Sequence, residues 1–259
     1  MHGLRPTVWV AVGSYRTSSG TVQEDSRLRM VMNGKTVVIT GASRGIGKAL
    51  AEQVIETGAH VVVCSRERDE IETVGEQLRE RGDVTALRAD VRDEFDVERL
   101  MERAASVTGE IGAVVANAGV YHGHPGETPL STESYAAFDD HLRTNARGVF
   151  TTVRESIPHL ADDARILISS GTIARNAIAG FGSYGVSKAT AEAIARGFAT
   201  ETDYTVGVVD PGQVATELAG ENGHEPADAA EQFLWALADA PDEMVDGAVI
   251  DRKTWRKNA

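Results

Sequence analysis

Short β-branched runs alternate with segments of helical period along the chain from Asn33 onward. The runs lie at 36 to 40, 60 to 64, 84 to 88, 113 to 117, 165 to 169, 205 to 210 and 247 to 251. Between the first two, Ile46, Leu50 and Val54 share one helical stripe, and Gly58 stands where a helix would end. Such alternation is typical of a parallel sheet with helices on both faces. The pattern predicts an α/β fold: one doubly wound domain with a parallel sheet of about seven strands.

The first 32 residues carry no such alternation. We interpret residues 1–32 as an amino-terminal extension, either disordered or the product of an upstream start, and residues 33–259 as the folded domain. The apolar stretch "TVWVAVG" at 7 to 13 is too short and too weakly flanked by charge for a secretory signal. No run approaches the roughly 18 apolar residues that span a bilayer.

Composition narrows the class of partner and the compartment. The formal net charge is −13 at pH 7, and nucleic acids and anionic membranes bind basic surfaces, so neither is expected as a partner. The acidic bias suits either a protein kept soluble at high salt or an ordinary acidic cytosolic protein. Cys64 is the sole cysteine, which excludes an intrachain disulfide and a cysteine-rich metal site. We therefore expect a cytoplasmic location and no metal.

A glycine-rich loop, "TGASRGIG" at 40 to 47, follows the first strand and opens the first helix. Gly41 supplies a tight turn, Gly45 lets backbone approach a ligand, and Gly47 lets the helix pack on the strand. The exposed amides at the start of a helix attract a pyrophosphate. The spacing differs from G-x-G-x-x-G, but the position between strand and helix favours dinucleotide binding.

The chain resembles the classical type of the short-chain dehydrogenase/reductase family, over essentially Asn33 to the carboxyl end. The motifs that carry the resemblance occur in the family's order: "TGASRGIG" (40 to 47), "DV" (90 to 91), "NAGV" (117 to 120), the asparagine of "RTNARG" (145), "ISS" (168 to 170), "YGVSK" (184 to 188) and "DPGQVAT" (210 to 216). Any one motif is weak evidence, whereas all of them in sequence are hard to obtain by chance. The resemblance implies a Rossmann-like fold and a nicotinamide cofactor.

The resemblance also implies the site residues. A catalytic tetrad falls on Asn145, Ser170, Tyr184 and Lys188. Ser170 lies one position further before Tyr184 than is usual, which leaves open whether Ser169 or Ser170 faces the substrate, and we prefer Ser170 because it ends the "ISS" motif. Cofactor contacts are expected from Gly41, Ser43, Arg44, Gly45, Ile46, Gly47, Ser65, Arg66, Asp90, Val91, Asn117, Ala118, Gly119, Tyr184, Lys188, Pro211, Gly212, Val214 and Thr216.

Tyr184 and Lys188 stand four residues apart on a predicted helix, where an exposed pair without function is the alternative to catalysis. Hydride transfer to a carbonyl leaves an alkoxide that needs a proton, and a phenol with its ordinary pKa of about 10 must shift by about three units to act near neutrality. We expect the Lys188 charge to supply much of that shift beside an oxidised nicotinamide. Ser170 would donate to the substrate oxygen, and Asn145 would anchor a water that relays protons toward Lys188.

We predict NADP(H) as the cofactor, with NAD(H) as the alternative. An NAD-binding protein places an acidic residue at the end of the second strand, where the carboxylate accepts from the ribose 2′-hydroxyl. In "VVVCSRER" that position is Ser65, followed by Arg66, and Arg44 lies in the glycine loop. Guanidinium groups suit a 2′-phosphate. Glu67 is close enough in sequence to replace the missing carboxylate, which keeps NAD open.

Three histidines and three apolar residues near these motifs have weaker assignments. The histidines are expected to be solvated rather than catalytic or metal-binding; they are His122, His124 and His141. The apolar residues form either a substrate wall or ordinary core; they are Ile173, Ile178 and Phe181.

The first functional expectation is an NADP-dependent oxidoreductase acting on a small-molecule ketone, aldehyde or secondary alcohol, with 3-oxoacyl thioester reduction in that set. The alternative from another class is a cofactor-binding sensor on the same fold that has lost its chemistry. A lyase-like or dehalogenating relative would replace the lysine, so Lys188 argues against it. The complete tetrad favours the enzyme. The resemblance further implies a homo-oligomer, either a dimer or a tetramer.

Overall fold

A computed structural model describes residues 32–218 and 220–259. Within these residues seven strands form one sheet: β1 (Thr36–Thr40), β2 (His60–Ser65), β3 (Val84–Arg88), β4 (Ile111–Ala116), β5 (Leu160–Ser169), β6 (Thr205–Asp210) and β7 (Val249–Asp251). The strands are all parallel and follow the order β3-β2-β1-β4-β5-β6-β7. The prediction of one doubly wound parallel sheet is confirmed.

Helices connect the strands and cover the sheet. They are α1 (Gly45–Glu56), α2 (Arg68–Arg79), α3 (Glu94–Thr108), α4 (Tyr135–His141), α5 (Gly148–Ser156), α6 (Gly182–Glu201), α7 (Pro226–Ala238), α8 (Asp242–Val245) and α9 (Arg252–Asn258). A π-helical segment, Leu142–Arg147, joins α4 to α5. Short 3-10 turns lie at Leu130–Thr132, Ile157–His159 and Thr172–Ala174.

The central strands are buried on both faces, because successive side chains of a strand point to opposite sides of the sheet. In β1, Val37 and Ile39 pack into the layer that contains α1 and α7, whereas Val38 packs into the opposite layer with α3 and α5. A continuous β-branched run therefore fits this position better than an alternating one.

The helix α1 follows its predicted stripe. Leu50 and Val54 are fully buried, Ile46 is half-buried, and the helix ends before Gly58, whose φ is +86°. Only a residue without Cβ adopts that angle readily. The strands β1 and β4 are neighbours in the sheet. After β1 the chain continues to β2 on one side, and after β4 it continues to β5 on the other side. Parallel sheets bind ligands outside the carboxyl ends of such a pair.

The predicted extension over residues 1–32 lies outside the described residues except for Met32, which is buried in the core. Within 32–218 and 220–259, no helix combines the length and hydropathy needed to cross a membrane.

Candidate active site

The glycine loop between β1 and α1 packs directly against the end of β4. Gly41 has a φ of +68°, and a Cβ on it would lie 2.6 Å from the Ala118 Cα. A Cβ on Gly47 would lie 2.6 Å from the Asn117 side-chain nitrogen. That amide donates to the carbonyl oxygens of Thr40 at 3.0 Å and Gly41 at 3.1 Å. The two loops therefore close on each other only because these positions lack side chains.

The first turn of α1 is suited to an anionic ligand. Arg44 precedes the helix without a side-chain cap, and the first turn holds no acidic residue. The amides at the helix start are thus left for a ligand, and the helix dipole favours negative charge there. Gly45, at a φ of +55°, keeps the backbone free of a side chain at this point. These features fit the pyrophosphate of a dinucleotide.

A cavity of about 1220 Å³ runs along the carboxyl edge of the sheet from this loop. Nearly all of the predicted site residues line it: Gly41, Ser43, Arg44, Gly45, Ile46, Ser65, Arg66, Asp90, Val91, Asn117, Ala118, Gly119, Ser170, Tyr184, Lys188, Pro211, Gly212, Val214 and Thr216. Gly47 and Asn145 do not border the cavity, since both are buried behind its wall. Segments far apart in sequence thus meet in one cleft.

Tyr184 and Lys188 lie on one face of α6, near its start. The Lys188 Nζ is 5.8 Å from the centroid of the Tyr184 ring and donates to the Ser169 carbonyl oxygen at 3.0 Å. The helix start is held from outside, because the Glu133 carboxylate accepts from the Ser183 amide and hydroxyl, each at 2.7 Å. The tyrosine therefore stands on a fixed helix terminus inside the cavity.

Burial changes the pKa of both groups. It raises the pKa of the Tyr184 phenol, and the neighbouring Tyr121 and Asp210 add to that increase. Burial lowers the pKa of Lys188 to about 8, against an opposing effect of Glu192. The protein's own groups thus keep Tyr184 a neutral proton donor, and the expectation that Lys188 lowers the pKa of the phenol is not met by the protein alone. With a pKa of about 8, Lys188 is mainly charged below that pH and mainly neutral above it.

The two serines at the end of β5 differ in their partners: Ser169 is the last residue of the strand and Ser170 directly follows it. Ser170 Oγ donates to the Glu192 carboxylate at 2.7 Å, so a substrate oxygen would compete with Glu192 for this proton. Ser169 also lines the cavity, and its hydroxyl makes no side-chain hydrogen bond to any described residue. Both serines thus reach the site, but only Ser170 is tied into a buried network.

Asn145 lies in the π-helical segment, a geometry often found at functional sites. Its Oδ1 accepts from the Val120 amide at 2.8 Å, and its Nδ2 donates to the Val120 carbonyl at 2.9 Å and to Ser187 Oγ at 3.0 Å. A Cβ on Gly119 would lie 3.3 Å from Asn145 Oδ1 and 3.7 Å from Lys188 Nζ. Asn145 therefore joins the loop after β4 to α6, and only Oδ1 retains capacity for a water.

At the other end of the cavity, charged pairs lie near the end of β2, where the ribose 2′-hydroxyl or 2′-phosphate is predicted to bind. Asp90 accepts from the Arg92 guanidinium at 2.7 Å, and although burial raises the pKa of Asp90, these hydrogen bonds lower it overall. Ser65 Oγ donates to the carbonyl oxygen of Glu67 at 3.0 Å rather than facing an acid. The predicted arginines here are exposed and loosely paired: Arg66 with Glu67 at 3.2 Å, and Arg44 with Glu217 at 3.0 Å.

The prediction that His141 is solvated is wrong. Its ring is fully buried, and Nε2 accepts from the His122 amide at 3.0 Å. The proton therefore sits on Nδ1, which donates to Ser183 Oγ at 2.7 Å, and that hydroxyl donates to Glu133. Burial and the nearby His122 lower the pKa of His141. The neutral imidazole braces the start of α6, a role that requires three distant segments and leaves no sequence signal.

An apolar and aromatic wall flanks Tyr184. The Tyr121 ring lies 4.9 Å from the Tyr184 ring and 6.2 Å from the Phe181 ring, measured between centroids. Ile173 and Ile178 complete the wall, and neither belongs to the buried core. Of the two open interpretations of these residues, the structure supports the wall over core packing.

Sequence reasoning missed several residues of the site. Tyr121 directly follows "NAGV", and Arg92 directly follows "DV", so position beside a motif was the available signal for each. Glu192 stands four residues after Lys188, on the same helix face. Arg175 offers no signal, because only the fold brings it to Glu192 and Asp210.

Comparisons with known proteins bear on the fold and on the family of the chain. A family model described as short chain dehydrogenase matches residues 35–227. Versicolorin reductase stcU from Emericella nidulans is 32% identical over 222 residues, which are 83% of this chain and 80% of that protein. NADPH-dependent aldehyde reductase 2, chloroplastic, from Arabidopsis thaliana is 30% identical over 213 residues, which are 73% of this chain and 75% of that protein. The crystal structure of a dehydrogenase/reductase from Sinorhizobium meliloti 1021 is similar with a TM-score of 0.79 and 26% sequence identity, covering 89% of this chain and 97% of that chain.

Proposed function

Because the chain belongs to the short-chain dehydrogenase family and is an NAD(P)-dependent oxidoreductase, we propose that it reduces a neutral ketone or aldehyde with NADPH. One observation carries the proposal: Tyr184 and Lys188 lie in the same cavity as the glycine loop and the two serines at the end of β5, Ser169 and Ser170. A nicotinamide cofactor held in this cavity supplies the hydride. The protein supplies the proton and the orientation of the carbonyl.

The proton step follows from the groups around the carbonyl. Tyr184 Oη donates its proton to the substrate oxygen as the carbonyl carbon gains the hydride, so the product is the alcohol. The raised pKa of Tyr184 keeps the phenol protonated before the reaction. Lys188 stabilises the phenolate that results and binds the ribose hydroxyls, while Ser169 or Ser170 donates a hydrogen bond to the oxygen. Asn145 fixes the loop that faces Lys188.

The lining of the cavity favours a neutral, partly apolar substrate. Near Tyr184 the wall consists of Tyr121, Phe181 and Ile173. The charged lining residues other than Lys188 follow β2 and β3 or belong to the Arg44–Glu217 pair, at the cofactor end. A carboxylate or phosphate on the substrate would therefore be desolvated beside no cation other than Lys188, whose ammonium is assigned to the ribose hydroxyls and the phenolate. The names of the two reductase relatives support carbonyl reduction, and 3-oxoacyl thioesters stay one candidate within it.

A substrate panel tests the proposal. With NADPH, neutral aryl ketones and aldehydes are expected to show kcat/KM values at least about tenfold above those of 2-oxo acids, because an unpaired charge costs more than about 1.4 kcal/mol on burial. The measurement is the absorbance of reduced nicotinamide. Tight NADPH binding without turnover of any carbonyl would support a sensor instead, and a preference for 2-oxo acids would overturn the assignment of the wall.

We also propose that Arg44 and Arg66 hold the 2′-phosphate of NADPH. Their carboxylate partners are exposed, and such pairs contribute little stability, so a phosphate displaces them at low cost. The residue at the end of β2 is Ser65, so no carboxylate at that position would repel the phosphate, and Arg66 directly follows it. The NADPH dependence in the name of the Arabidopsis relative supports the same choice.

The cofactor assignment predicts which variants change the preference. Arg44→Ala and Arg66→Ala are each expected to lower kcat/KM for NADPH by about tenfold or more and to leave NADH nearly unchanged, since each loses a charge-assisted hydrogen bond. Arg154→Ala removes an equal charge from α5, away from the cavity, and serves as the control.

Glu67→Gln separates the remaining alternative. If Arg66 binds the 2′-phosphate, loss of the Glu67 carboxylate that pairs with Arg66 leaves kcat/KM for NADPH equal to the parent's or higher. A fall in kcat/KM for NADH in that variant would show that Glu67 binds the ribose of NAD instead. A preference for NADPH that survives both arginine substitutions would overturn the assignment.

A homo-oligomer in the cytoplasm completes the proposed function. The single cysteine supports a reducing compartment, and the resemblance supports a dimer or tetramer.

A further inference from the structure

A buried group of charges lies behind the catalytic end of the cavity. Glu192 on α6 and Asp210 at the end of β6 are each 2% exposed, and Arg175 pairs with both carboxylates. Carboxylates are almost never buried to this extent unless they are paired. We call Arg175, Glu192 and Asp210 the acid–arginine cluster.

The acid–arginine cluster holds several parts of the site at once. Glu192 accepts from Ser170 Oγ at 2.7 Å. Asp210 accepts from the Gly212 amide at 2.9 Å and from Thr172 Oγ1 at 3.0 Å, which fixes the turn that lines the cavity after β6. The cluster therefore joins the ends of β5 and β6 to the catalytic helix.

Glu192 also faces Lys188, one helical turn away. The Lys188 ammonium lies near Tyr184 and Glu192 on α6 and donates to the Ser169 carbonyl oxygen of β5. Arg175 lies behind Glu192 and pairs with both Glu192 and Asp210. Asn145 lies near the ammonium across Gly119, and further charged or titratable neighbours of Tyr184 are Tyr121 and His141. With Lys188 protonated, two cations balance two buried carboxylates.

We propose that Glu192 is a positioning residue that keeps the Lys188 ammonium charged in the working enzyme and holds the Ser170 hydroxyl at the end of β5. This inference rests on the proposed function, in which Lys188 binds the cofactor and stabilises the phenolate. Burial lowers the pKa of Lys188 to about 8, and Glu192 is the group that opposes this decrease. Arg175 weakens the effect of Glu192 on the pKa of Lys188, because its guanidinium neutralises part of the Glu192 charge.

Two substitutions that remove charges of opposite sign test the proposal. The measured quantities are the pH dependence of NADPH binding and that of kcat/KM for NADPH. Glu192→Gln is expected to move the alkaline loss of both quantities down by about one pH unit, since Lys188 then loses its anionic neighbour. Arg175→Gln is expected to move the loss up, because the Glu192 charge is then less compensated. Damage to the fold cannot produce opposite shifts in the two variants.

Glu201→Gln is the matched control, since it removes the same charge from an exposed position on the same helix, and its profile is expected to coincide with the parent's. Superimposable profiles for the parent, Glu192→Gln and Arg175→Gln would overturn the proposal, as would shifts in the same direction. A parent protein that binds NADPH but reduces no carbonyl would refute the proposed function alone, since the binding profiles still decide the role of Glu192.

Discussion

Tyr184→Phe is expected to lower kcat for every accepted carbonyl by a factor of about 10² to 10⁴, the range that a positioned proton donor contributes. The phenyl ring preserves the packing against Tyr121, whose ring centroid lies 4.9 Å away. Only the hydroxyl is lost, and no group of the protein besides Tyr184 is assigned to deliver the proton. NADPH affinity, measured by fluorescence titration, is expected to stay within about twofold, because Lys188 and not the phenol is assigned to bind the ribose hydroxyls.

Tyr204→Phe is the matched control, since it removes the same hydroxyl from a residue that packs against the core away from the cavity. It is expected to retain the parent's kcat. Full activity of Tyr184→Phe would refute the assignment of the proton donor. A large loss of NADPH affinity in that variant would show instead that the phenol holds the cofactor.

The fold could be predicted because its signal is local. Each central strand is a β-branched run buried on both faces, and three of the seven predicted strand ranges agree with the structure at both ends: β1, β3 and β6. The largest disagreement between predicted and observed bounds lies at the start of one strand. The strand β5 begins at Leu160 rather than at 165, and its early part contains Asp162 and Asp163, which do not resemble a buried strand. Backbone pairing with β4 extends the strand there despite those side chains.

The site could be predicted only as far as its residues belong to sequence motifs. The glycine loop and the Tyr184–Lys188 pair were found in this way, and the structure brings them into one cavity. The burial of His141 and the pairing of Arg175 depend on contacts between segments that are far apart in sequence, as does the direction of the pKa shift at Tyr184. Such contacts and such desolvation exist only once the chain is folded, so no local pattern encodes them.

Lys188→Ala is expected to damage both cofactor binding and catalysis, because one ammonium serves the ribose hydroxyls and the phenolate. Two hydrogen bonds from a charged group are lost, and at about 1.5 to 3 kcal/mol each they correspond to a decrease in kcat/KM for NADPH of about 10² to 10⁴.

The pH dependence of kcat/KM for NADPH tests the role of the Lys188 charge directly. Since the pKa of Lys188 is about 8, the charged form prevails below that pH, so kcat/KM for NADPH in the parent enzyme is expected to fall as pH rises above it. The alanine variant is expected to lack this decrease. Lys253→Ala removes an exposed lysine from α9 and is expected to reproduce the parent profile in both level and shape. An unchanged NADPH affinity in Lys188→Ala would remove the ribose role, and an alkaline decrease that persists in that variant would assign the titration to another group.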